Sequence, residues 1–229
     1  MEHAPIPEAG RAGGPPGRSL RVRTAAAAAL AVLFGCLYFF VRQYFKDGVW
    51  RFDLTLVNKS LGATALFIIA LSMALTGAAH FSRPWIRRLA YRKYLGLAGF
   101  WAGVAHAALG HLVLPAVGLR TEQGPGGPLA DAAGLAALGL FTVMAAISNG
   151  GAMSRMGPAA WRGALRWAGY AGLVLAAGHT ALLKWGSWAR YFRTFESVLP
   201  SLSLPAVVLA AAAVLLRLTV LVSGAGKRK

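Results

Sequence analysis

Six stretches of this chain are each long and apolar enough to cross a bilayer, and that fact constrains the fold more than any motif. Split at their polar breaks, they cover 24–41, 61–81, 94–117, 129–148, 164–184 and 200–222. Each approaches the ~20 residues a helix needs to span about 30 Å of hydrocarbon. Of the 229 residues, 14% are charged and 57% hydrophobic, whereas a soluble domain carries about 25% charged residues. The alternating polarity of a membrane barrel is absent. Only helices and closed barrels satisfy every backbone group in lipid, so the reading is an all-α polytopic membrane bundle of six transmembrane helices.

A formal net charge of +17 would suit a nucleic-acid partner, but its placement argues for topology instead. Sixteen of the 24 basic residues fall in the N-terminal segment, between spans two and three (Arg83, Arg87, Arg88, Arg92, Lys93), between spans four and five (Arg155, Arg162, Arg166) and toward the C-terminus. The other eight, including Arg42, Lys46, Arg51 and Lys59, fall on the opposite side. Positive residues mark the cytoplasmic face. Both termini are therefore expected inside, with the protein multi-pass in the inner (cytoplasmic) membrane.

Residues 1–23, rich in Gly, Pro and Arg, cannot bury a core and read as a disordered basic cytoplasmic arm. Residues 24–222 form the transmembrane domain and 223–229 a basic cytoplasmic tail. The basic start followed by an apolar run ending near Cys36 resembles a signal peptide. The run continues through Leu37 to Val41 without a small-residue cleavage site, so it reads as an uncleaved first helix. A lone cysteine allows no internal disulfide and no cysteine metal cluster. No 20–50-residue repeat is evident. The segment with Trp185, Trp188, Tyr191 and Phe192 reads as an outer loop bearing an aromatic belt.

Two histidines stand in the middle of the apolar spans. An ionisable ring at bilayer depth is costly, and a chain that keeps one usually has a use for it. With the termini inside, spans three and five run in the same direction. At about 1.5 Å rise per residue, His106 lies roughly 18 Å and His179 roughly 22 Å from the inner ends of their spans. Equal depth on parallel helices is the geometry for clamping a haem from both faces, and two axial histidines suit electron transfer. His111, about 26 Å deep and roughly 140° round the helix from His106, is the competing ligand on span three, and depth alone does not choose between them. Small residues, among them Gly103 beside His106 and Gly178 beside His179, offer the thin helix surfaces a flat macrocycle needs. Close helix packing explains glycines equally, and a structural hydrogen bond between helices would explain the histidines. Lys184 and Arg190, near the outer end of span five, are placed to meet haem propionates, or to snorkel as surface charges.

The stretch RKYLGLAGFWAGVAH (92–106) resembles the third-helix signature of the ferric-reductase-like transmembrane family, in particular the haem-binding membrane subunits of periplasmic methionine sulfoxide reductase systems. LGATALFIIALSMALTG (61–77) is similar to the family's second span, and ISNGGAMSRMGPAAW (147–161) to its connector before the helix bearing Gly178-His179. The resemblance implies haem b held by His106 and His179 as metal ligands, with Gly103 and Gly178 beside the cofactor. It implies a membrane electron-transfer subunit of an oxidoreductase. Two departures stand out. Arg166 occupies the place where the family often carries a further histidine, and no flavin- and nicotinamide-binding stretch follows. The expected donor is then a quinol or a separate cytoplasmic flavoprotein, and the acceptor lies outside the cytoplasm. Membrane lipids are the surrounding partners, and nucleic acid is not one. The alternative is a non-redox multipass protein, such as a small transporter, an assembly factor or a scaffold, although the inverted repeats and broken helices of transporters are not evident.

Overall fold

The computed structural model describes residues 18–119, 127–195 and 198–226, and every regular element among them is helical. In chain order these are α1 (Arg18–Asp47), α2 (Leu54–Phe81), a single turn α3 (Arg83–Ile86), α4 (Leu89–Ala108), a π-helical turn (Leu109–Val113), its short continuation α5 (Leu114–Ala116), α6 (Gly127–Ile147), α7 (Gly150–Met156), α8 (Pro158–Thr194) and α9 (Ser203–Gly226). Among the described residues five helices are long and apolar enough to cross a membrane: α1, α2, the α4–α5 rod, α6 and α9. The protein is an α-helical, multi-pass membrane bundle.

The helices outrun the apolar spans. α1 starts at Arg18 rather than at residue 24, and α2 starts at Leu54 rather than at residue 61. Apolarity marks only the stretch that sits in hydrocarbon, whereas a helix continues through flanking Lys, Arg and Gln, good helix formers, until something stops it. Gly48, with φ of 69°, follows the end of α1. Asp53 begins α2 as an N-cap, its carboxylate accepting from the Leu56 N–H at 2.8 Å. This early start carries Asn58 and Lys59 onto α2. The supposed aromatic loop is helical too, since α8 runs unbroken to Thr194. Of its aromatic residues Trp185 and Phe192 are exposed, but Trp188 is buried, its indole N–H donating to the Ser203 hydroxyl at 3.3 Å. The expected disordered arm lies outside the described residues as far as 17, and residues 18–23 belong to α1.

α2 is the most buried helix and forms the axis of the bundle. Leu66, Ile69, Ala70 and Met73 on α2 meet Ala137 and Phe141 of α6, Leu173 of α8, and Ala206, Ala210 and Ala213 of α9 in one core. Two antiparallel pairs follow from side-chain contacts. Asn58, Ile69 and Ser72 of α2 oppose His106, Gly99 and Arg92 of α4 in turn. Ala130 and Phe141 of α6 oppose His179 and Gly172 of α8. α4 and α8 therefore run parallel. α8 is not one of these five, because glycines, Tyr170, His179 and Thr180 dilute its central run. It nevertheless lies alongside the spanning helix α6 from Ala130 to Phe141.

Candidate functional site

The rings of His106 and His179 meet in an edge arrangement between α4 and α8, their centres 6.4 Å apart and their planes 70° from parallel. Both line a partly open cavity of about 890 Å³ bounded by residues of α1, α2, α4, α6 and α8. Its floor is apolar, formed by residues such as Leu66, Ile69, Phe100, Ala137 and Phe141, while its mouth is rich in Lys and Arg.

Each ring is anchored in the same manner. His106 Nδ1 lies 3.0 Å from the carbonyl oxygen of Asn58 and 2.7 Å from the Asn58 side-chain oxygen. His179 Nδ1 lies 2.7 Å from the carbonyl oxygen of Ala130. A carbonyl only accepts, so Nδ1 carries the proton in both rings and Nε2 keeps its lone pair. Holding the second nitrogen of a ligating histidine by a backbone carbonyl is how proteins fix tautomer and orientation at metal sites.

A glycine four residues after each accepting carbonyl makes the approach possible. A Cβ on Gly62 would stand 2.9 Å from His106 Cε1, and one on Gly134 would stand 2.7 Å from His179 Nδ1. Both clashes are too short for a real Cβ. Seven residues before each histidine a second glycine lets the paired helix come close. A Cβ on Gly99 would meet Ile69, and one on Gly172 would meet Phe141. Asn58, Gly62, Ile69, Gly99 and His106 thus have counterparts in Ala130, Gly134, Phe141, Gly172 and His179. The bundle holds two copies of one device, a helix pair presenting a histidine to the centre. In the sequence this likeness is confined to Gly-x-x-Ala-Leu at 62–66 and 134–138 and to the equal glycine–histidine spacing, a signal too sparse for a repeat search.

Other expected site residues are placed as follows. Gly103 lines the cavity, as do Lys184 and Arg190. Gly178 is not among the lining residues, and nothing lies within 4 Å of where its Cβ would be; one step from His179 is about 100° round a helix. His111 is exposed and lines the cavity together with His106, contrary to the roughly 140° offset of a regular helix. The cause is the π turn, in which Leu114 N–H reaches back five residues to Leu109. That wider winding reduces the rotation per residue and brings His111 toward the side of His106.

A metal–imidazole bond is about 2.0 Å and each ring nitrogen sits about 1.1 Å from its ring centre, so imidazoles on opposite sides of one ion have centres roughly 6.2 Å apart. The observed 6.4 Å matches that spacing. Among the described residues no three metal-ligating side chains come together. A protein zinc site wants three or four ligands, whereas a haem brings four nitrogens and asks the protein for two axial ones. Gly103, Ala107, Ala137 and Ala176 keep the cavity walls thin. The donor set, spacing and cavity fit a haem.

At the rim, burial works to raise the Asp53 carboxyl. The hydrogen bonds from the Thr55 hydroxyl and the Leu56 N–H, with Lys59 nearby, outweigh it and hold the group below the ordinary carboxylate range. Compared with known proteins, the chain matches no family model and no curated protein.

Proposed function

We propose that this protein is a six-helix cytochrome b of the cytoplasmic membrane, with α8 as the sixth span. It passes single electrons from a quinol or a separate cytoplasmic flavoprotein to an acceptor on the far side. His106 and His179 would hold the haem. When bound, the haem supplies a one-electron couple, and the protein's part is to fix its position and tune its potential. The Asn58 and Ala130 carbonyls keep both rings in the tautomer that leaves Nε2 to the metal. The apolar lining would exclude water from the site, and Lys184 and Arg190, which line the same cavity, would receive the propionates. One observation carries this reading: two rings 6.4 Å apart, each tied back through Nδ1 to a carbonyl of its paired helix. The resemblance of 92–106 to the ferric-reductase-like family supports it independently.

A second haem nearer the other end of the bundle is not expected. There the methyl groups of Met73 and Met144 close on Gly169, and Arg166 has no lone pair to offer iron. Oxidised and dithionite-reduced spectra of the purified protein, with a pyridine haemochrome assay, test the proposal. They should show a low-spin b-type haem at one per chain, lost in His106→Ala and in His179→Ala and retained in His111→Ala. Protein from haem-replete cells without a Soret band would overturn it.

A further inference from the structure

At the end of the bundle opposite the histidines, arginines from three helices converge on one hydroxyl. Tyr170 of α8 interacts electrostatically with Arg92 of α4, Arg166 of α8 and Arg217 of α9. Packing against α2 sets their common level. The Ser72 hydroxyl donates to the Arg92 carbonyl at 2.8 Å. A Cβ on Gly169, beside Tyr170, would stand 3.0 Å from the Met73 methyl, and one on Gly77 would stand 2.8 Å from the Cβ of Leu216, beside Arg217. Residues 72 to 77 of α2 cover only about 8 Å of its axis, and Arg166 lies one turn before Tyr170 on the same face of α8.

We infer that Arg92, Arg166, Arg217 and Tyr170 form a binding site for the phosphate of an anionic phospholipid. Topology explains basic residues in connectors and at helix ends. It does not explain Arg217, which stands five residues inside an apolar run that continues to Val222. Among the described residues none of the three arginines makes an ion pair. Of the seven acidic residues, Asp53 and Asp131 line the histidine cavity, and Asp47, Glu122 and Glu196 belong by sequence to that same end. Glu2 and Glu8 precede the described residues.

Chemistry and depth both suit a lipid headgroup. A guanidinium makes paired bonds with phosphate oxygens, and the Tyr170 hydroxyl adds a neutral donor among the three. Thr76, about 40° round α2 from Ser72, lies at the same level, and its hydroxyl is buried without a hydrogen-bond partner among the described residues, where such groups are ordinarily paired. Arg217 and Tyr170 lie roughly 8 and 9 Å inside the ends of their apolar runs, within snorkelling reach of the headgroup layer. Exposed Trp167, Leu215 and Leu218 on α8 and α9 offer apolar surface for acyl chains. Basic pockets between helices on the cytoplasmic side bind anionic headgroups, and the proposed orientation puts this end there.

Native mass spectrometry of the purified full-length protein, offered phosphatidylglycerol and phosphatidylcholine together, tests this. One phosphatidylglycerol per chain should be retained in preference to phosphatidylcholine. Arg166→Gln/Arg217→Gln should weaken its retention by roughly thirty-fold, about fivefold per arginine. Arg83→Gln/Arg155→Gln removes two exposed cations of α3 and α7 outside the cluster and should leave retention unchanged. Tyr170→Phe keeps the ring, removes the hydroxyl and should weaken retention several-fold, with circular dichroism as the check on folding. Equal weakening by the two double variants would mean diffuse attraction to a basic surface and would overturn the inference. So would displacement of the lipid by inorganic phosphate, which would make the ligand a soluble anion. Retention seen only after Glu2→Gln/Glu8→Gln would assign the site to the chain's own carboxylates and would also overturn it. The site makes no use of the haem, and Soret absorbance of the same samples reports on that reading separately.

Discussion

At Gly62 and Gly134 one methyl group separates a ring that reaches its acceptor from one that does not. Alanine favours a helix over glycine by about 1 kcal/mol, so Gly62→Ala and Gly134→Ala should keep or improve helix stability while displacing the rings. Loss of an outer-shell partner costs metal sites about ten- to a hundred-fold in affinity. Haem retention in Gly134→Ala is expected to fall by that order with far-ultraviolet circular dichroism unchanged. Gly178→Ala, which adds its Cβ to open space, should be silent, and an unaltered haem content in both Gly62→Ala and Gly134→Ala would remove the anchoring argument. The 70° between the two ring planes carries a second prediction. Nearly perpendicular axial imidazoles leave the iron d orbitals of π symmetry close in energy. Electron paramagnetic resonance of the oxidised protein should therefore show a highly anisotropic low-spin signal, and a well-resolved rhombic spectrum would mean that the rings turn toward parallel on binding.

At the scale of elements, the functional content lies where helices begin and where one is locally rewound. Because α2 starts at Asp53, its first turns carry Asn58 and Gly62 to His106; a helix starting at residue 61 would have left both acceptors of His106 in a loop. Asp53→Ala should cost about 1 kcal/mol through loss of the cap and loosen this end of α2. The Asp53 carboxyl is held below its ordinary range. Its contribution is therefore complete above the unfolded carboxylate value of about 4 and is lost as pH falls through the lower folded value. Thermal unfolding of the wild type and Asp53→Asn, followed from pH 7 to pH 3, should show stability curves that converge at the acid end. Curves that stay parallel would deny the cap this role. The π turn is the other local event, and it explains why His111 shares the cavity without sharing the anchor of His106.

For the whole molecule, the parallel course of α4 and α8 places both histidines at one level, and the proposed orientation rests on the basic asymmetry of the sequence. With Cys36 replaced by Ser, a cysteine introduced at Gln123 should react with an impermeant maleimide from outside, and one at Gly226 should not. The opposite pattern would invert the bundle and turn the cavity mouth toward the cytoplasm. Residue 123 lies in the segment outside the described residues, so the test depends on the chain's order of crossing and not on any contact there.

The amino-acid sequence by itself determined that this chain is a helical membrane bundle, roughly where its spans lie, and that His106 and His179 share a depth. Partition into lipid depends on the composition of each segment alone, and rise per residue converts position into depth. What only the tertiary structure decided is which ring of span three is anchored, through which atom, and against which glycine. Those facts depend on contacts between residues 48 and 49 positions apart in the chain. A glycine in an apolar run reads the same whether it relieves helix packing, as Gly99 does, or leaves room for a histidine, as Gly134 does. The convergence of Arg92, Arg166 and Arg217 on Tyr170 was equally hidden, because charge in a sequence has a position along the chain but no direction until the helices are packed.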